Sequence, residues 1–122
     1  MNRTFAVTGA LLALLAVVAG AFGAHALRTR IPADLLVTWE TGARYQMYHA
    51  LGLLFVALVA ADGNRLANAA GWLLIAGTVL FSGSLYALAL GGARGLGAIT
   101  PLGGLCLIAG WACLALAIGR RT

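Results

Sequence analysis

The sequence predicts an all-α fold, an integral membrane four-helix bundle with a short interfacial helix between spans one and two. The 122 residues are 62% hydrophobic and 9% charged, where a soluble domain carries roughly 25% charged residues. The charges punctuate long uncharged runs, and four of these runs reach the roughly 17–25 residues that a spanning helix needs. The runs are continuous rather than alternating, which excludes the strands of a lipid-exposed barrel. The same arithmetic excludes a soluble globule, a disordered tail and a disulfide-stapled secreted module.

The chain reads as a single transmembrane domain, residues 1–122, with spans near 5–27, 45–61, 68–91 and 98–118. Span one lies between Arg3 and Arg28. Its end contains Ala24-His25-Ala26, the pattern of a signal cleavage site, but the apolar run exceeds the roughly 7–15 residues of a signal core, so it reads as a retained helix. In the following segment Pro32 suits a first helical turn, and Leu35, Leu36 and Trp39 fall on one side. Glu40 and Arg44 stand at the i,i+4 spacing that favours pairing, acid first. This is the expected interfacial helix, with a bend at Gly42 and with Trp39, Tyr45 and Tyr48 at headgroup depth. Span two follows up to Asp62. Span three lies between Arg65 and Arg94 and closes in the Gly91-Gly92 turn, and span four opens at Thr100-Pro101 and ends at Arg120. An even number of spans places both termini on one side of the membrane.

The net charge of +5 comes from eight arginines and no lysine, against Asp34, Glu40 and Asp62. The arginines mark span ends rather than form a stripe, so they point to lipid phosphates and not to nucleic acid. Arg3, Arg65, Arg120 and Arg121 lie on the terminal side and Arg28, Arg30, Arg44 and Arg94 on the other, an even division. The adjacent Arg120 and Arg121, with Arg3 beside the α-amino group, tilt the reading to cytoplasmic termini, provided Arg44 and Arg94 are occupied inside the protein.

Helix packing in lipid relies on close backbone approach at small residues. Span one carries Gly9, Ala13, Ala16, Gly20 and Gly23 on one face. Span three carries Ala70, Gly77, Ser84 and Gly91, and span four Gly103, Cys106, Gly110, Cys113 and Ala117. Spans one and four are expected to be the most closely packed pair. Cys106 and Cys113 are about 10.5 Å apart along one helix at 1.5 Å per residue, too far for a disulfide, and read as small packing residues.

The polar residues of the spans gather at one membrane face. His25 closes span one, and Tyr45, Gln46 and His49 open span two. Ser82, Ser84 and Tyr86 occupy the second half of span three, and Thr100 opens span four. Tyr45 and His49 share a helix face at i,i+4, as do Ser82 and Tyr86. Polar groups in lipid turn inward and find partners, so a hydrogen-bonded cluster of His25, Tyr45, His49, Ser82 and Tyr86 is expected, with Arg44 and Arg94 at its rim. Three purposes stand open for it: interhelical hydrogen bonding alone, a pocket for a small molecule such as a lipid phosphate or quinone headgroup, or a metal or haem site on His25 and His49. Two histidines without a nearby thiolate are few ligands for the last, and no cofactor is expected.

No enzyme motif is legible. There is no G-x-S-x-G, no H-E-x-x-H and no P-loop, and the glycine-rich stretch from Gly91 to Gly97 follows a membrane helix rather than a strand. Four thin helices leave little lumen, so a channel or transporter would need an oligomer. Phe22-Gly-Ala-His25 and Phe81-Ser-Gly-Ser84 hint at a duplicated helical hairpin.

The strings Gly20-Ala-Phe-Gly-Ala-His-Ala-Leu27, Arg44-Tyr-Gln-Met-Tyr-His-Ala50, Phe81-Ser-Gly-Ser-Leu-Tyr86 and Ile99-Thr-Pro-Leu-Gly-Gly104, with Gly110-Trp111, resemble the bacterial membrane family known as domain of unknown function 423, whose eukaryotic relatives include transmembrane protein 256. The resemblance covers all four spans. It implies a small multi-pass protein of the bacterial inner membrane and brings no catalytic residue with it. A non-catalytic bundle that packs in a homo-oligomer or larger membrane complex, with a lipid or small ligand at its polar cluster, is the expected function.

Overall fold

A computed structural model describes residues 1–121 of the protein. Helix α1 (Arg3–Phe22) continues through a π-helical turn (Gly23–Leu27). Helix α2 (Ala33–Val59) ends in a 3-10 turn (Ala60–Asp62), α3 (Arg65–Ala89) is followed by another (Arg94–Ala98), and α4 (Ile99–Gly119) completes the chain. Each of the four is long and apolar enough to cross a membrane. Two starts are capped by asparagine: Asn2 Oδ1 accepts from the Phe5 N–H at 3.2 Å and Asn64 Oδ1 from the Ala67 N–H at 3.1 Å, satisfying donors that have no partner inside the helix. Gly63 (φ 77°) and Gly91 (φ 88°) supply the left-handed residues that stop α2 and α3.

The segment before the second span is helical, and it joins α2 without a break, the helix running unbroken through Gly42. Gly42 has a different use. A Cβ there would stand 2.9 Å from Tyr86 Cε1, so the missing side chain lets the α3 aromatic ring lie on the α2 backbone. Trp39 is buried between helices, at 8% exposure. Glu40 and Arg44 do not pair; the ion pair among the described residues joins Arg121 Nη2 to Asp62 Oδ2 at 3.0 Å.

Consecutive helices are the packed neighbours: α1 on α2, α2 on α3 and α3 on α4, with a thin contact between α2 and α4. The expected pairing of spans one and four is therefore overturned. The small-residue stripes identified contact positions in part, since Gly20 and Gly91 have open space where a Cβ would stand, and their mates incorrectly. Gly9 of α1 lies against Ala50 O and Leu54 of α2, and Gly103 of α4 lies against Phe81 N and Gly77 O of α3. A stripe permits close approach to any backbone, and short connections select the adjacent hairpin partner.

The apolar core sits toward the chain ends, where Phe5, Leu53, Val56, Leu74 and Leu114 are buried together. The Asn2 N–H donates to Ala57 O at 2.8 Å, and Arg121 donates to the Val59 carbonyl as well as to Asp62. Both chain ends thus meet the α2–α3 turn. A smaller core of Leu27, Trp39 and Ala89 lies at the opposite end. Cys106 and Cys113 are free and half-buried.

Candidate functional site

Toward the end of the bundle remote from the termini, polar side chains fasten the helices to one another. Trp39 Nε1 donates to Ala19 O at 2.8 Å. The indole lies where α1 widens into its π turn, and Gly23 leaves the room: a Cβ there would be 2.7 Å from Trp39 Cδ1. A side chain inserted beside the helical ladder is a known cause of such widening. Tyr86 packs on Trp39 with ring centroids 4.6 Å apart and donates its hydroxyl to Gln46 Oε1 at 2.6 Å. Gln46 Nε2 in turn donates to Leu12 O at 2.8 Å. One chain of contacts therefore links α3, α2 and α1.

Ser82 Oγ donates to Gly42 O at 2.7 Å, so Ser82 and Tyr86, four residues apart, both land on Gly42. Ser84 and Thr100 share a 2.5 Å hydrogen bond between α3 and α4. Each of these groups has a partner, and in lipid such interhelical bonds contribute about 0.6–2 kcal/mol apiece.

His49 differs from them. Trp111 Nε1 approaches His49 Nδ1 at 3.1 Å across the α2–α4 gap. An indole N–H can only donate, so Nδ1 accepts and the neutral ring carries its proton on Nε2. His49 Nε2 is buried and has no hydrogen-bond partner among the described residues. The residue as a whole is 7% exposed. Gly52 seats the Trp111 ring, since a Cβ there would stand 2.7 Å from Cζ2 and Cη2.

Where α2 and α4 touch only thinly over α3, they leave a cavity of about 410 Å³ lined by Tyr45, His49, Phe81, Gly104, Leu107, Ile108 and Trp111. That volume lies within the roughly 300–1,000 Å³ of small-molecule sites. Its walls are apolar and aromatic, with Tyr45 and Phe81 rings 5.0 Å apart. Ile108 (68% exposed), Trp111 (41%) and Tyr45 (38%) form its outer edge, at span positions that face lipid. His49 lies about 7.5 Å below Arg44 along α2, counting five residues at 1.5 Å each, while Tyr45, which also lines the groove, follows Arg44 directly.

The single expected cluster is thus divided into several contacts. Gln46, Ser82, Tyr86, Ser84 and Thr100 are tied into interhelical bonds, while Tyr45 and His49 face the groove together, as their i,i+4 spacing requires. His25 is exposed in the π turn and does not line the groove. The Tyr45 hydroxyl makes no hydrogen bond among the described residues, and its ring packs instead on Tyr48, His49 and Phe81. Arg44 and Arg94 are exposed, so their occupation inside the protein gives no ground for an orientation. The residues that sequence reasoning missed here are Trp111 and Phe81. Trp111 carried a usable signal: it lies twelve residues beyond Ile99, far from either aromatic belt, where a buried indole N–H requires a partner.

Comparison with known proteins agrees with this architecture. The model of the family described as protein of unknown function (DUF423) matches residues 19–104. A UPF0382 membrane protein of Staphylococcus saprophyticus is 50% identical over 117 residues, covering 96% of each chain. UPF0382 membrane protein YwdK of Bacillus subtilis is 51% identical over 117 residues, covering 94% of this chain and 95% of its own. No solved structure matches. A match across most of the chain, carried on four apolar helices, makes this protein a multi-pass membrane member of the DUF423 family.

Proposed function

We propose that this protein is a non-catalytic binding module that holds a lipid-soluble molecule in the groove between α2 and α4. The observation that carries the reading is a roughly 410 Å³ apolar groove walled by a buried histidine with one nitrogen bonded to Trp111 and the other unpaired. Gln46, Ser82, Ser84, Tyr86 and Thr100 support it by contrast, because their hydrogen bonds are made between helices; Thr78 Oγ1, the other buried side-chain atom without a partner among the described residues, does not line the groove.

Gly104 provides the test. A Cβ there has only Phe81 Cδ2 nearby, at 3.9 Å, so Gly104→Leu fills the groove without meeting backbone. Native mass spectrometry of the protein in mild detergent, with extraction of retained small molecules, is expected to find a bound species on the wild type and none on Gly104→Leu. Equal occupancy of the two would overturn the proposal.

A redox site on His25 and His49 is less compatible with this arrangement. A metal on His49 Nε2 would drive the proton to Nδ1, against the Trp111 N–H. Absorption spectra of the oxidised and reduced protein, with metal analysis of the same sample, are expected to lack a Soret band and stoichiometric metal. We place the chain in the bacterial inner membrane with both termini cytoplasmic, on the adjacency of Arg120 and Arg121 and of Arg3 to the α-amino group, the count of exposed arginines being even between the two sides. A C-terminal alkaline phosphatase fusion should be inactive, and an active one would reverse the orientation.

A further inference from the structure

We infer that the groove selects a ligand by an uncharged carbonyl oxygen, which accepts a hydrogen bond from His49 Nε2–H while its apolar body lies between the aromatic walls. The inference rests on the groove reading above and assigns the chemical class of the ligand.

The acceptor requirement follows from Trp111. Since the indole can only donate, its bond to Nδ1 at 3.1 Å leaves Nε2–H as a donor, and that donor is buried without a partner. A buried unpaired donor is costly, and a carbonyl oxygen removes the cost. The absence of charge follows from the walls. No arginine lines the groove, and Arg44 is exposed at the surface above it. A carboxylate or phosphate at His49 would lie desolvated with no cation beside it, and an ammonium would face an N–H donor with no acid to offset it.

The body of the ligand is read from the rings. Tyr45, Phe81 and Trp111 present aromatic surface on both the α2 and α4 sides, which suits a flat ring or an acyl segment. Two sources carry this chemistry, a quinone ring and the acyl ester of a neutral lipid. Access runs past Tyr45. Its ring centroid lies 6.1 Å from that of His49, it is partly exposed, and its hydroxyl holds no bond among the described residues, so it is the side chain that turns aside to uncover the imidazole.

The full chain in nanodiscs, measured against empty nanodiscs, is given 2-methyl-1,4-naphthoquinone, 2-methylnaphthalene, 1-naphthoate or a monoacylglycerol, and bound probe is counted per protein. The quinone is expected to bind about tenfold more tightly than the ring without carbonyls, the scale of one hydrogen bond to a buried donor. His49→Phe should abolish that preference, and His49→Gln, which keeps an N–H donor, should restore part of it. Retention of the quinone or of the monoacylglycerol identifies the source of the carbonyl. Failure to retain either overturns the inference, as does tighter binding of naphthoate. Equal binding of quinone and hydrocarbon to the wild type, both lost in Gly104→Leu, refutes the carbonyl assignment and leaves the groove reading standing. Unchanged binding of every probe in Gly104→Leu refutes the groove itself.

Discussion

Gly103 and Gly104 are adjacent in α4, and a methyl group would meet opposite surroundings at each. At Gly103 it would stand 2.4 Å from Phe81 N and 2.9 Å from Phe81 Cα, both backbone. Backbone cannot swing aside as a side chain can, so Gly103→Ala must push α4 off α3. We expect a loss of about 1–3 kcal/mol, the range for overpacking a tight site, visible as a lower midpoint of thermal unfolding in detergent. Gly104→Leu should unfold within a few degrees of the wild type. The i,i+4 pairs of the candidate site were legible at this scale, because the placement of Tyr45 with His49 and of Ser82 with Tyr86 depends only on helix geometry. His25 was not. Whether a residue at a helix end turns inward depends on the neighbouring helix, and there the inward position belongs to Trp39.

At the scale of the element, α1 and α2 are keyed by one aromatic side chain. Trp39 reaches out of α2 to Ala19 O, and Gly23 makes the seat for its ring. Gly23→Ala would bring a Cβ within 2.7 Å of the indole, displacing it and breaking the hydrogen bond. The expected cost is about 1–2 kcal/mol, and a shift in tryptophan fluorescence should accompany it. Trp39→Phe keeps the ring and loses only the N–H, so it should cost about 1 kcal/mol without disturbing the Tyr86 contact. The helical character of residues 33–44 was legible from Pro32 and the apolar spacing. Its fusion to the second span was not, since a glycine inside an apolar stretch reads equally as a bend or as a close approach, and only Tyr86, some forty residues away in sequence, decides between them.

For the whole molecule, the two hairpins α1–α2 and α3–α4 meet along α2 and α3, and the exposed Gly63 turn is the covalent link between them. Co-expressed fragments 1–62 and 64–122 should therefore assemble in the membrane and co-purify through the α2–α3 face. Recovery of the fragments as separate species would contradict this arrangement. The Arg121–Asp62 pair contributes little to the same junction: both side chains are largely exposed, at 45% and 63%, and exposed pairs are worth about 0–1 kcal/mol. Arg121→Ala should leave the unfolding midpoint nearly unchanged. Span number and fold class were legible because they follow from counting apolar residues between charges. Helix adjacency was not legible, because small residues state that a face is close to something without stating to what.

The opening of the groove between α2 and α4 sets the reservoir from which the proposed ligand would be drawn. The outer edge at Tyr45, Ile108 and Trp111 is exposed on a membrane-spanning bundle, so the molecule proposed to bind there would arrive by sideways diffusion from the bilayer rather than through water. Occupancy is then governed by the mole fraction of that molecule in the bilayer, not by its aqueous concentration. A weak intrinsic affinity would suffice on that reading, since the membrane itself concentrates an apolar solute.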